Sequence, residues 1–181
     1  MEHFVYREAS FMKEDAVSGP TLSAAELLAW VEKTSQNWKV LFEKYPEALA
    51  LPCDVAGTKS VGELLQHIVA VELRFAEQLR DMAQTPYEQI PFGSVEEIYA
   101  THSRAMSKLR ELVADSTYNW SQEIELSTRS LGNLKASRKT ILFHALLHAI
   151  RHYAQLATLV RQHGIKPDWQ MDYLLMGVQR A

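Results

Sequence analysis

The chain has 181 residues, a length that suits one domain with a buried core. Hydrophobic residues make up 47% of the sequence and charged residues 23%, which is the ordinary range for globular proteins. The net charge of −3 gives no electrostatic attraction to nucleic acid or to an anionic membrane, so we expect neither as a partner.

Targeting features and cysteine usage indicate the compartment. The N-terminal sequence MEHFVYREASFMKED lacks the long apolar core of a signal peptide, and no apolar run is long enough to cross a membrane. The single cysteine, Cys53, cannot form an internal disulfide and belongs to no cysteine-rich metal motif. These features predict a cytoplasmic protein.

Hydrophobic periodicity predicts four amphipathic helices, over residues 24–45, 61–82, 95–114 and 137–163. The first three begin at capping boxes, in which a serine precedes a glutamate by three residues. These pairs are Ser23 and Glu26, Ser60 and Glu63, and Ser94 and Glu97. Pro46 ends the first helix, and Gly164 ends the fourth.

Four helices of this length predict an all-α fold, a four-helix bundle. We expect residues 21–181 to form a single domain and residues 1–20 to be an N-terminal extension. The connection between the third and fourth helices is long for a bundle, and its sequence WSQEIEL followed by SLGNL is compatible with a short β-hairpin. The segment PDWQMDYLLM predicts a short terminal helix.

Three histidines recur at every fourth position of the predicted fourth helix, in FHALLHAIRHYAQLATLVRQHG. Each residue advances about 100° around a helix, so His152 lies about 80° from the centre of the apolar stripe, His148 about 120° and His144 about 160°. His148 and His152 therefore flank the buried face and can share one metal ion, whereas His144 points to the outer face.

A third ligand must come from another helix, and His67 on the second helix has a matching position beside Leu64 and Val71. Three histidines with an open coordination position are typical of a catalytic zinc-type site. The alternatives are a chance histidine pair on the fourth helix and a polar boundary residue at position 67. His102 falls within the apolar stripe of the third helix, where a hydrogen-bonded core histidine is favoured over a cavity-lining residue or a fourth ligand.

The sequence HAIRHYAQLATLVRQHGIKP resembles the last helix of the DinB-like (YfiT-like) family of metal-dependent enzymes. Members typically carry His-x-x-x-His, then a glutamine, then an apolar run that ends at a glycine. His148, His152 and Gln155 match this pattern, and SVGELLQHIVAVE, with His67, matches the family's second helix. Many members have Arg-Gly-Gln after the second histidine, whereas Tyr153 and Ala154 precede the glutamine here.

The resemblance implies a four-helix bundle in up-down-down-up order, with zinc or nickel held by His67, His148 and His152. It also implies a small-molecule partner, since characterised relatives include bacillithiol-dependent thiol transferases and mycothiol-dependent maleylpyruvate isomerase. Many members have no assigned reaction, and homodimers are common, so we expect a homodimer.

Two hypotheses follow for the function. The first is a metal-dependent thiol S-transferase that uses a low-molecular-weight thiol, with metal-dependent hydrolysis of another small substrate as a variant. In it, Glu63 would orient the His67 ring and Gln155 would bond a ligand histidine or the substrate, while no residue is identified as general base. The second hypothesis is a non-enzymatic, stress-associated metal-binding or interaction protein.

Overall fold

The computed structural model describes residues 20–128 and 132–178. Its four α-helices and one β-hairpin are, in chain order, α1 (Ala24–Lys44), α2 (Val61–Leu79), α3 (Val95–Ala114), β1 (Glu123–Thr128), β2 (Gly132–Ser137) and α4 (Arg138–Gln162). The predicted all-α class is therefore confirmed, with the small antiparallel hairpin in the place where the sequence allowed one. The predicted N-terminal extension lies outside the described residues, apart from its last position.

Serine caps set the starts of the helices. At α1 the box is complete, because Ser23 accepts a hydrogen bond from the Glu26 backbone N–H and the Glu26 carboxylate accepts one from the Ser23 backbone N–H. At α2 only half of the box forms, since the Glu63 carboxylate accepts from the Lys59 backbone N–H at 2.8 Å instead. Each cap still pairs a backbone donor that the first helical turn leaves open.

Helix α2 ends three residues earlier than the sequence pattern predicts. Its last residue is Leu79, Arg80 is the C-cap, and Asp81 adopts a left-handed backbone conformation with φ of 54°. The Asp81 carboxylate accepts a hydrogen bond from Arg138 at 2.8 Å, which ties this end of α2 to the start of α4. Met82 is therefore outside the helix.

The predicted terminal helix is reduced to a single 3₁₀ turn, Tyr173–Met176. This tail is held against α1 by side chains that reach its backbone carbonyls: Trp30 donates to Met171 at 2.8 Å and Lys33 donates to Leu175 at 3.1 Å. The tail is thus stabilised by contacts with α1 rather than by its own helical hydrogen bonds.

The four helices pack so that α3 and α4 each contact both α1 and α2. Trp38 of α1 is fully buried and stacks between Phe42 and Tyr153, with Trp169 meeting it edge-on. Because α2 contacts both α3 and α4, one side of α2 faces α4 and the other faces α3, and a polar cluster that contains histidine lies on each side.

No helix within the described residues is long and apolar enough to cross a membrane.

Candidate metal centre

Three histidines converge where α2 meets α4. The Nε2 atoms of His67 and His152 each lie 3.1 Å from the Nε2 atom of His148. One ring nitrogen from each residue lies within 4.8 Å of the other two. The structure therefore brings together the pair on the fourth helix and the single histidine that the sequence placed on the second.

Burial of the α4 histidines follows their angular order on the helix. His152 is 3% exposed and His148 is 7% exposed, whereas His144 is exposed. The His144 ring is not directed fully away from the core, because it meets Phe75 of α2 edge-on, with ring centres 5.6 Å apart. It stays outside the group of three nitrogens that converge.

Hydrogen bonds select the tautomer of His152. Its Nδ1–H donates to the side-chain oxygen of Gln155 at 2.7 Å, one turn further along α4. In the neutral ring this leaves a lone pair on Nε2, which is the atom that faces the cluster. A metal-binding histidine commonly has its other ring nitrogen oriented by such an acceptor.

Burial and neighbouring positive charge keep these rings neutral. Burial, and after it the nearby His152, His67 and Arg151, together lower the pKa of His148 to about 2. The pKa of His152 falls to about 4, again through burial first and then through His67 and Arg151. At neutral pH the two rings therefore present uncharged nitrogen donors, the form that metal ions bind.

The donor set fits a divalent ion. Zinc–nitrogen bonds of about 2.0–2.1 Å at tetrahedral angles would separate two nitrogen ligands by roughly 3.3 Å, close to the 3.1 Å contacts found here. Lone pairs that face each other at this distance repel unless a proton or a cation lies between them. The buried Nδ1 atom of His148 has no hydrogen-bond partner among the described residues, so His148 lacks the support that Gln155 gives His152.

The other residues singled out by the sequence lie around this cluster or apart from it. The carboxylate of Glu63, one turn before His67, accepts a hydrogen bond from the Lys59 backbone N–H at the start of α2. His102 lies on the opposite side of α2, 7% exposed, with Nδ1 2.7 Å from a carboxylate oxygen of Glu72. His102 also lines a cavity of about 200 Å³ between α1 and α3.

Two residues in these clusters were missed by sequence reasoning. Glu72 is completely buried, and its position four residues after Ile68 and seven after Leu65 placed it on the buried face of α2. Arg151 has its guanidinium Nη2 3.1 Å from Nε2 of His152. Adjacent positions on a helix rarely face each other, so the spacing gave no indication of this contact.

Fold and site together define a helical protein with a three-histidine candidate metal centre. A model of the DinB family matches residues 17–177, and the chain belongs to the DinB family. No curated protein matches the chain. Family membership and the convergent histidines both indicate metal binding.

Proposed function

We propose that this protein is a metal-dependent enzyme, a thiol S-transferase that joins a low-molecular-weight thiol to an electrophilic small molecule. The observation that carries the proposal is the convergence of three histidine Nε2 atoms where α2 packs against α4. His67 is only half-buried and Arg151 is exposed, so the cluster is reached from solvent at that edge.

His67, His148 and His152 would hold a zinc or nickel ion, and three protein ligands leave coordination positions open. Such an ion lowers the pKa of a bound thiol and keeps it as the nucleophilic thiolate at neutral pH. The thiolate sulfur would form a bond to the electrophilic carbon as the leaving group departs with its electron pair. The thiol proton would pass to solvent, since no residue here is assigned as general base.

The chain's own residues would orient the site. Gln155 would fix the ring of His152 through the 2.7 Å hydrogen bond to Nδ1. Glu63, one turn from His67, would support that imidazole through the carboxylate oxygen that does not accept from the Lys59 backbone. By family resemblance we further propose the up-down-down-up helix order and a homodimer, the latter tested by the mass of the protein in solution. The single cysteine, which forms no internal disulfide, supports a proposed cytoplasmic location.

Metal content, measured by mass spectrometry on protein purified with zinc or nickel present, tests the ligand set. We expect His148→Ala and His152→Ala to lose the ion and His144→Ala, a matched change on the same helix, to keep it. Full metal content in either of the first two variants would rule out this site, and loss from His144→Ala would assign it a ligand role.

Turnover tests the reaction. We expect the metal-loaded protein to conjugate a thiol to an electrophile such as an alkyl halide, and His67→Ala to lose that activity. A metal-loaded protein that converts no member of a panel of thiols and electrophiles would favour the non-enzymatic alternative. Metal-dependent ester hydrolysis without added thiol would favour a hydrolase at the same site.

A further inference from the structure

Arg151 lies at the solvent-facing edge of the three-histidine cluster, and it has no acidic partner within the described residues. It is exposed, and its guanidinium is 3.1 Å from Nε2 of His152. The ion pairs within residues 20–128 and 132–178 are made by other side chains. An arginine beside a prospective cation site, with no carboxylate to neutralise it there, calls for a physical explanation.

The charged groups that act on the rings of His148 and His152 are all basic, and the nearby Glu63 carboxylate accepts a hydrogen bond from the Lys59 backbone. The three imidazoles would contribute no negative charge to a bound divalent ion, and Arg151 adds a further positive charge. A partly buried site with excess positive charge favours an anionic ligand, because charge in a low-dielectric region is costly unless it is compensated. The ligand that completes the site should therefore be an anion.

The contact of Arg151 with His152 also has to change when a metal ion binds. The guanidinium donates an N–H to the Nε2 lone pair, and the same lone pair cannot serve a metal ion at the same time. Because Arg151 is exposed, its side chain is free to turn to another acceptor beside the cluster. A guanidinium pairs best with a carboxylate, through two parallel hydrogen bonds.

We propose that Arg151 recognises a carboxylate on the small ligand that occupies the open side of the cluster, so that the preferred thiol carries a carboxylate a few bonds from its sulfur. This inference rests on the proposed thiol-transferase function and names the substrate class. Arg151 is then a specificity-determining residue, and it is not itself a metal ligand.

Cobalt-substituted protein allows the inference to be tested by binding rather than by activity. Two thiols of similar length serve as probes: 3-mercaptopropionate, which carries the carboxylate, and 2-mercaptoethanol, which is neutral. Their binding is followed by the sulfur-to-cobalt charge-transfer absorption, and cobalt affinity is measured separately without thiol. The variants are Arg151→Gln, Arg151→Lys and, as the matched control, Arg161→Gln on the exposed last turn of α4.

The unchanged protein should bind 3-mercaptopropionate at least about tenfold more tightly than 2-mercaptoethanol, as a charge-assisted hydrogen bond predicts. Arg151→Gln should abolish this preference and leave 2-mercaptoethanol binding nearly unchanged, while Arg151→Lys keeps part of it. Cobalt affinity should rise about threefold or more in Arg151→Gln, because a competing donor and a repelling charge are removed. Arg161→Gln should match the unchanged protein.

In Arg151→Gln the preference for 3-mercaptopropionate should fall while cobalt affinity rises. These opposite directions distinguish ligand recognition from a structural role of Arg151, because loss of a structural residue would weaken the binding of both cobalt and thiol. Equal binding of the two thiols, or a preference that survives in Arg151→Gln, would overturn the role of Arg151 and leave the thiol function standing. Cobalt that binds without a charge-transfer band for any thiol would overturn both the inference and the thiol-transferase proposal.

Discussion

Two polar clusters that contain histidine lie on opposite sides of α2, and they differ in how their buried polar atoms are paired. His67 faces α4 and Glu72, five residues later and so about 140° further around the helix, faces α3. The first cluster gathers three imidazoles, with no carboxylate in the group that converges. The second pairs one imidazole, that of His102, with the buried carboxylate of Glu72.

The difference shows which cluster contains its own donor and acceptor. In the His102–Glu72 pair, one carboxylate oxygen of Glu72 pairs with His102, while the other, Oε1, is buried with no hydrogen-bond partner among the described residues. In the three-histidine cluster, nitrogens face nitrogens, and one ring N–H can serve only one of the two 3.1 Å contacts, so a cation is needed to join all three. We therefore expect changes in the pair to affect folding and changes in the cluster to affect metal binding.

The largest expected effect is on the pair. His102→Ala leaves the Glu72 carboxylate buried without its donor, which should lower the free energy of unfolding by about 3–5 kcal/mol. Urea unfolding measures this loss, and metal content per folded molecule should not change. The double variant Glu72→Leu/His102→Leu is the control, since removal of both partners should recover much of the stability. A single variant as stable as the unchanged protein would mean that the pair does not hold α2 to α3.

Metal binding should give the next largest effect, at the other cluster. An ion present at 100 times its dissociation constant stabilises the folded state by about 2.7 kcal/mol. In a chain of this size that raises the melting temperature by roughly 5–10 °C over protein treated with a chelator. His67→Ala should melt at the same temperature with and without metal. A full shift in that variant would show that the ion binds elsewhere.

Loss of the Gln155 side chain should weaken metal binding without abolishing it. Gln155→Ala removes the acceptor that orients His152, and such partners typically contribute about 10- to 100-fold to metal affinity. Competition with a metal-sensitive dye measures the change. Gln162→Ala, near the exposed end of the same helix, should bind metal like the unchanged protein, and equal affinity in both variants would remove Gln155 from the site.

The last effect concerns pH in the metal-free protein. The pKa of His148 is about 2 and that of His152 about 4 in the folded state, below the usual value near 6.5. Below about pH 6.5 the two histidines therefore bind protons in the unfolded chain but not in the folded chain. The free energy of unfolding should fall as pH drops toward 4 and below. Melting temperatures across this range should fall less steeply in His148→Leu/His152→Leu. His163→Ala, at an exposed helix end, should keep the original slope.

The sequence alone anticipated most of the helices because their signals are local. The serine caps fixed three helix starts to the residue, and the ends that differ depend on events outside the pattern. Helix α2 stops early because Asp81 takes a left-handed conformation and its carboxylate bonds Arg138, fifty-seven residues away in the chain. The hydrophobic pattern of α2 gives no information about Arg138, which lies in another helix.

The candidate site was foreseen in part for the same reason. The spacing of His148 and His152 predicts that they share a helix face, and helical drift separates His144 from them. A buried glutamate was readable from the apolar positions around Glu72, but its partner on α3 was not. The Arg151 contact depends on a side-chain conformation that residue spacing does not encode.

What the sequence by itself determined is what a single helix enforces: where α1, α2 and α3 begin, and which histidines of α4 lie one above the other. Only the tertiary structure decided that His67 meets His148 and that Glu72 meets His102. The physical reason is that a rotation of 100° per residue fixes directions within a helix. Which faces meet is settled by the packing of all four helices around one core.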